Sequence, residues 1–464
     1  MSRPAPDRAH SESLHDRLSA DDRDPPAPRI EQLPDHAKRG GLPEPSGPAH
    51  RAVPRDRHDG GPRPGQALPA RLGCGGERLR EPAGPLRAVL RQRSALARAC
   101  PDLDVPEGAR DRAREGISGA RRHRVIGGPV ERPPRYGLSL PNRGVLFGAT
   151  SVDELLAVSE QAEASGVFDS IWVGDSLFAK PRLESLVLLS AIAARTRRVR
   201  LGTCCLSTFP LRDPIFLAAQ WAALDHVSHG RMVLGACVGG SLPREKAEAE
   251  FAAFDVKLSE RGPRLEEGMT ILRRLWTEDR VSHQGRFYRL RDLTLEPKPV
   301  QKPCPPIWIA TNPKPELTPP HVLDRALRRV GLMADGWMTD NIPVARFHER
   351  WDLIRRVARE AGRPTGPMEA ALHLMVNIND DRSAAWEEAV KFLHTYYSPA
   401  MTREYIENWL AYGSPKAVVE KIRAYVDAGC TTPILRFASW DQKGQLARAI
   451  ADVMPAALAL RLPV

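Results

Sequence analysis

The chain has 464 residues and a formal net charge of +11, of which +7 falls in residues 1–135, where 26 Lys/Arg face 19 Asp/Glu. Basic and acidic residues intermix in that stretch and no aromatic stands among them to stack on bases, so nucleic acid is not an expected partner. Seven cysteines without a Cys-x-x-Cys or a His/Cys cluster at ligand spacing exclude a zinc site and a disulfide framework, and no apolar run reaches the roughly 18 residues of a membrane helix.

Residues 1–134 hold no Phe, Tyr or Trp, are crowded with arginine and carry 20 of the 43 prolines. Such a composition cannot bury enough apolar area to offset the entropy of ordering, and it reads as a disordered Arg/Pro-rich tail. It also reads as the translation of a GC-rich upstream region, with the true start near Val125 or Val130. No apolar core of a signal peptide follows Met1, so the expected location is the cytoplasm.

From residue 135 strand and helix patterns alternate. "RYGLSLPN" reads as a strand, and Ser151 caps a helix that runs to Ala164 and stops at Gly166, with Glu154 at the capping-box position. "DSIWVGDS" is a second strand, "ESLVLLSAIAART" a helix, and "VRLGTCC" a third strand whose Gly202 marks close backbone approach. "IFLAAQWAALDHVS" is helical and "GRMVLGACVGG" is a fourth strand. After a charged interruption over 241–260 comes the amphipathic helix "ERGPRLEEGMTILRRLWTE". "VSHQGRFYRL" is a small hairpin insertion. Strands follow at "PPIWIAT", "DGWMT", "ALHLMVNIN" and "TPILRFASW", with helices at "VARFHERWDLIRRVAREAG", "SAAWEEAVKFLHTYY", "SPKAVVEKIRAYVDAGC" and "QLARAIADVMPAAL". Eight strands with interleaved helices over 135–464 predict an α/β fold, a (β/α)8 TIM barrel with insertions. An open doubly wound sheet is the alternative, but no strand leads into Gly-x-Gly-x-x-Gly.

In such a barrel function gathers in the loops after the strands. The candidates there are Asn142, Asp175, Ser176, Cys204, Cys205, Cys237, Gly239, Gly240, Thr311, Asn312, Asp340, Asn377, Arg436 and Trp440. They contain no Ser-His-Asp set and no carboxylate–histidine cluster for a metal. A site this poor in acid–base groups points to chemistry carried by an organic cofactor. His373, inside a strand, reads as a core or barrel-lining residue.

The motifs "SIWVGDSLF", "VRLGTCCL", "LDHVSHGRMVLGACVGG", "ERGPRLEEGMTILRRLW", "GRFYRL", "LEPKPVQKPCPPIWI", "ADGW" and "GSPKAVVEKI" follow one another as in the bacterial luciferase-like flavin-dependent oxidoreductases, which the chain resembles over residues 136–440. The resemblance implies a flavin or deazaflavin seated at the mouth of the barrel. It places the cofactor against Thr203, Cys204, Cys205, Cys237, Gly239, Gly240, Ala310, Thr311 and Asn312, with a non-proline cis peptide at Cys204–Cys205. By their places after the strands, Asp175 and Ser176 are the candidate catalytic pair, and Asn142, Asn377, Arg436 and Trp440 the candidate substrate-binding residues.

Three positions depart from relatives. Val238 stands where luciferases have a phosphate-binding arginine, Thr311–Asn312 where many have Gly-Gly, and Ser176 where many deazaflavin-dependent members have a histidine. Serine cannot titrate near pH 7, so histidine-assisted hydride chemistry does not carry over. The expected activity is that of a monooxygenase using reduced FMN and oxygen on a small organic substrate, with a separate flavin reductase as partner and a homodimer as assembly. The alternatives are hydride transfer with coenzyme F420 and a non-catalytic flavin-binding relative.

Overall fold

The structure, a computed structural model, describes residues 132–240 and 244–463; the expected tail and the alternative start lie outside the described residues. In chain order the strands are β1 Gly137–Leu140, β2 Ser170–Val173, β3 Arg200–Thr203, β4 Met232–Cys237, β5 Val281–Gln284, β6 Arg289–Leu293, β7 Ile307–Ala310, β8 Gly336–Asp340, β9 Glu369–Ile378, β10 Leu410–Gly413 and β11 Thr432–Phe437. Parallel pairing runs β1-β2-β3-β4-β7-β8-β9-β11 and returns to β1, so eight strands close into a TIM barrel. β5 and β6 form the expected antiparallel hairpin outside it.

Alternation along each strand sorts the side chains. Leu138, Ile171, Leu201, Leu234 and Ile309 face the helices in the large outer core, while Trp172, Val233, Trp308, Met338, Ala371 and Ile434 fill the lumen. Trp172 and Trp308 stack at 5.1 Å across it. Below them Arg200 Nη1 donates to both oxygens of Glu369 (2.9 and 3.0 Å), and Thr432 Oγ1 donates to Glu369 Oε2 at 3.0 Å. This plug fills the lumen at the N-terminal ends of the strands. Gly202 is required by it: a Cβ there would stand 2.4 Å from the Trp172 ring and 2.7 Å from the Val233 carbonyl.

The helix Val152–Ser165 starts on the expected capping box, Ser151 with Glu154. Three helices and one strand go beyond the sequence reading. Arg244–Ala252 lies in the charged interruption, Pro320–Met333 after a proline-rich stretch, and Arg403–Trp409 just before β10. The second hides its periodicity (Leu327 and Val330 buried, Leu323 packed on the core) behind the preceding "NPKPELTPP". The third spans only seven residues, and β10 only four; each is too short to carry a pattern.

Candidate active site

Register builds the top layer of the lumen. Cys237 on β4 stands opposite Ala310 on β7, and Asp340 on β8 opposite His373 on β9. Arg436 on β11 reaches β1, where its Nη2 donates to Ser139 Oγ at 2.9 Å. The chain after β3 completes this layer through a cis peptide at Cys204–Cys205, as the resemblance implied. Its backbone is pinned on both sides: Cys204 N donates to Val173 O and Leu206 N to Gly235 O, both at 2.7 Å. Cys204, Cys205 and Cys237 are partly exposed and pack on the lumen cluster, so the lumen is roofed by three thiols.

Those thiols differ in acidity. Cys205 hydrogen-bonds to Cys237, which holds Cys237 below its ordinary value against burial, and Gly239 N–H adds a second donor at 3.4 Å. The same bond, with burial, holds Cys205 well above its own. Burial pushes Cys204 up to about 12. Gly239 and Gly240 follow in two successive left-handed conformations (φ 65° and 68°), and a Cβ on Gly239 would lie 2.2 Å from Ser207 O. Only glycine suits this cradle.

Arg436 is 1% exposed. Its Nη1 lies 3.4 Å from Tyr397 Oη, its guanidinium stands 4.8 Å from the Tyr396 ring centre, and its Nε is buried with no partner. Burial works against the charge, but the Tyr396 and Tyr397 phenols hold the guanidinium above its ordinary value. Among the described residues no carboxylate is bonded to it. His373, 7% exposed, also has a buried ring nitrogen, Nε2, with no partner. Burial first, then Arg436 and Arg182, hold its imidazole well below the ordinary value. It is neutral at pH 7.

Further cations gather above this layer. Burial lowers Lys180, Arg182 lowers it further, and Asp340 opposes both; Lys180 stands 5.8 Å from the Tyr397 ring centre. Burial also lowers Lys314, again with Asp340 opposing, and its Nζ donates to Asn341 O at 2.7 Å. Arg143 donates to the Tyr396 carbonyl, and its Nε is buried without a partner. Trp440 joins the aromatic wall, 4.6 Å from Phe392 and 6.2 Å from Tyr396.

Of the residues expected at the site, Cys204, Cys205, Cys237, Ala310 and Arg436 come together in this layer. Asp175 and Ser176, the expected catalytic pair, are committed to the scaffold. Asp175 accepts from Ser185 Oγ (2.9 Å), Thr208 N (2.9 Å), Thr208 Oγ1 (2.7 Å) and Arg212 Nη2 (3.3 Å). Ser176 Oγ donates to Glu250 and accepts from Lys180 N. Asn142 clamps Gly174 through both its amide atoms, and Thr203 Oγ1 exchanges hydrogen bonds with the Gly235 backbone. Thr311 engages Met338 and Trp337 through its backbone, while Asn312 is held by Asp340 and Arg350. Asn377 donates to Glu388 and to the Ala438 carbonyl, with its Oδ1 buried and unpartnered.

Lys180, Arg182, Tyr396 and Tyr397 are absent from the sequence-based candidates, while His373 is the barrel-lining residue that one of its two readings expected. The period-2 phase that sets Ala371 in the lumen places His373 there too, one layer higher. Among the described residues, no group of three or more His, Cys, Asp or Glu could hold a metal, and no helix is long and apolar enough to cross a membrane.

Comparison with known proteins adds to this geometry. The family described as luciferase-like monooxygenase matches residues 135–432. The chain is similar to the F420-dependent glucose-6-phosphate dehydrogenase of Kineococcus radiotolerans, 26% identical over 320 residues, which are 64% of this chain and 90% of the relative. It is likewise similar to the enzyme of the same name from Nakamurella multipartita, 27% identical over 355 residues, covering 71% and 98%. Among solved structures, the monooxygenase RslO1 from Streptomyces bottropensis superposes with a TM-score of 0.57 at 25% identity, covering 69% of this chain and 99% of that one. A coenzyme F420-dependent tetrahydromethanopterin reductase from Methanopyrus kandleri shares the fold, with a TM-score of 0.56 at 17% identity, covering 70% and 99%.

Proposed function

The chain belongs to the luciferase-like monooxygenase family, and from that premise we propose that it is a coenzyme F420-dependent oxidoreductase that transfers a hydride to or from a small organic substrate. The observation that carries this reading is the charge of the mouth. Arg143, Lys180, Arg182, Lys314 and Arg436 converge there, and Asp340 is the carboxylate acting on both lysines. An array of cations in a low-dielectric cleft favours a ligand with several negative charges, and the phosphate and carboxylates of the F420 tail supply them. The glucose-6-phosphate dehydrogenase relatives, F420-dependent by name, support the same choice.

The residues present fit such a group. Gly239 and Gly240 follow Cys237 at the mouth in successive left-handed conformations, with Gly239 held there by close packing on Ser207. Cys204, Cys205 and Cys237 offer small, soft side chains against which a flat ring can lie. Val238 packs on the core and brings no charge where luciferases bind the FMN phosphate, which weighs against the reduced-FMN expectation. When bound, the coenzyme supplies a ring carbon that takes or gives a hydride. The protein's part is to hold the ring over the thiols, to place its anionic tail among the cations, and to keep water from the lumen with the Tyr396, Tyr397 and Trp440 wall. Asp175 and Ser176 then act as positioning residues that fix the loops around the mouth.

A second reading, oxygen-dependent monooxygenation with reduced FMN, is kept by the likeness to RslO1. Fluorescence titration of the purified protein separates the two. Saturable binding of F420, with weaker binding of FMN, is the expected result. Tight FMN binding with none of F420 would overturn the proposal.

A further inference from the structure

We propose that Arg436, Tyr397 and His373 form a substrate-oxygen site at the top of the lumen, for a substrate that reacts at a carbinol carbon or the matching carbonyl. The guanidinium and the phenol hold the oxygen, and His373 Nε2 exchanges its proton. The proposal rests on the hydride-transfer reading above and names its substrate class.

Two orphaned atoms point to a ligand. Among the described residues, Arg436 Nε and His373 Nε2 are both buried without a hydrogen-bond partner, on the paired parallel strands β11 and β9, with Arg436 two residues beyond Ile434, the register partner of His373. A buried donor left unmade is costly, and a buried guanidinium without a carboxylate is costlier still. A substrate hydroxyl at this place meets both needs, its oxygen accepting from Arg436 and its O–H donating to the neutral His373 Nε2. Asp175, Ser176 and Cys204 are committed otherwise. Asp175 is saturated by four donors, Ser176 is tied to Glu250, and the Cys204 thiol is held protonated by burial.

The step balances. In the oxidising direction the substrate O–H proton passes to His373 Nε2, and the O–H electron pair becomes the C–O π bond. The C–H bond breaks with its electron pair, and hydride leaves to the deazaflavin named above. The alcohol is oxidised, the coenzyme is reduced, and His373 returns the proton to water. Reduction of the carbonyl reverses each move.

The charged groups around His373 make this proton transfer depend on the substrate. Arg436 on β11 and Arg182 from the loop after β2 disfavour the imidazolium, while Asp340, its register partner on β8, carries the opposite charge. Trp409, the ring neighbour at 5.7 Å, is neutral. A negatively polarised oxygen on Arg436 screens that cation and raises the basicity of His373 at the moment a base is needed.

Two arms test the site. In the first, histidine-ring NMR follows His373 in the cofactor-free protein, assigned by His373→Asn, with acetate as the oxyanion probe. Saturating acetate is expected to shift the His373 midpoint upward in the wild type and leave it unmoved in Arg436→Gln. A midpoint indifferent to acetate in the wild type would overturn the proposal. In the second arm, F420-linked turnover of short secondary alcohols and ketones is measured. His373→Asn is expected to lower kcat by about 10²–10⁴-fold, with little change in KM or F420 affinity and with partial rescue by added imidazole. Unaltered kcat in a folded His373→Asn protein would also overturn it. If the wild type fails to bind F420, the functional reading falls, while the acetate arm still decides the oxygen site.

Discussion

Ser176 Oγ lies 3.2 Å from Glu250 Oε1, and that same oxygen accepts the backbone N–H groups of Leu177 and Phe178, both at 2.8 Å. The loop after β2 therefore forms a nest of donors filled by a buried carboxylate from the helix Arg244–Ala252. Glu250→Gln keeps the shape but turns a charged acceptor into a neutral amide. We expect a loss of about 1–3 kcal/mol in unfolding free energy, with faster proteolysis within residues 177–180. Unchanged denaturant midpoints would show that the nest does not hold the loop.

Asp175 gives the next expectation. Its four donors come from three residues in two segments: Ser185 opens a helix, while Thr208 and Arg212 lie beyond β3. Asp175→Asn must turn an N–H₂ toward donors and loses the Arg212 ion pair, so it should cost about 1–3 kcal/mol. Arg212 retains Glu184 as a partner at 2.7 Å, which limits the damage. The pH profile of the residual activity should keep its shape. Loss of one limb of that profile would instead make Asp175 a proton carrier.

The thiols should react unequally. Cys237 accepts from Cys205 and from Gly239 N–H and is held below its ordinary value, whereas burial pushes Cys204 and Cys430 up to about 12. Reactivity follows the thiolate fraction. Iodoacetamide near pH 8, read by peptide mass spectrometry, should label Cys237 before Cys204, Cys205 or Cys430. Cys205→Ala removes a donor and should slow Cys237 labelling. Preferential labelling of Cys205 would invert this picture of the pair.

The barrel was legible because its strands are short apolar runs at regular pitch, and because Gly202 and the adjacent cysteines mark where the chain must pass close to Trp172 and then bend. The site was legible where backbone and small residues make it and where a strand's end carries the side chain itself, as at Arg436. Side chains that act through long-range convergence were not. Lys180 and Arg182 read as ordinary loop charges until β2 and β11 bring them near Arg436, and Tyr396 sits at the end of a helix whose pattern says only that it is buried. The hydrogen bonding of Asp175 and Ser176 was hidden for the opposite reason. A polar pair after a strand looks catalytic, and nothing local reveals that Thr208 and Glu250 take up its hydrogen bonds.

His373 also carries a consequence for stability. Its imidazole is held well below the ordinary value of 6.5 by burial, with Arg436 and Arg182 adding to it, so the unfolded chain takes up a proton at a higher pH than the native protein does. Stability is therefore intact above the unfolded value and is lost as pH falls from there toward the folded one, at up to about 1.4 kcal/mol per pH unit from this group. His373→Asn removes the titration and should flatten the acid side of a stability–pH curve measured by urea unfolding between pH 7.5 and 5. Its stability at pH 7.5 should lie below that of the wild type, since the asparagine leaves space beside Trp409. The two curves should converge as the pH drops. Parallel curves over that range would mean that His373 is protonated in the folded protein near its ordinary value, and that Arg436 is screened by a neighbour already in place.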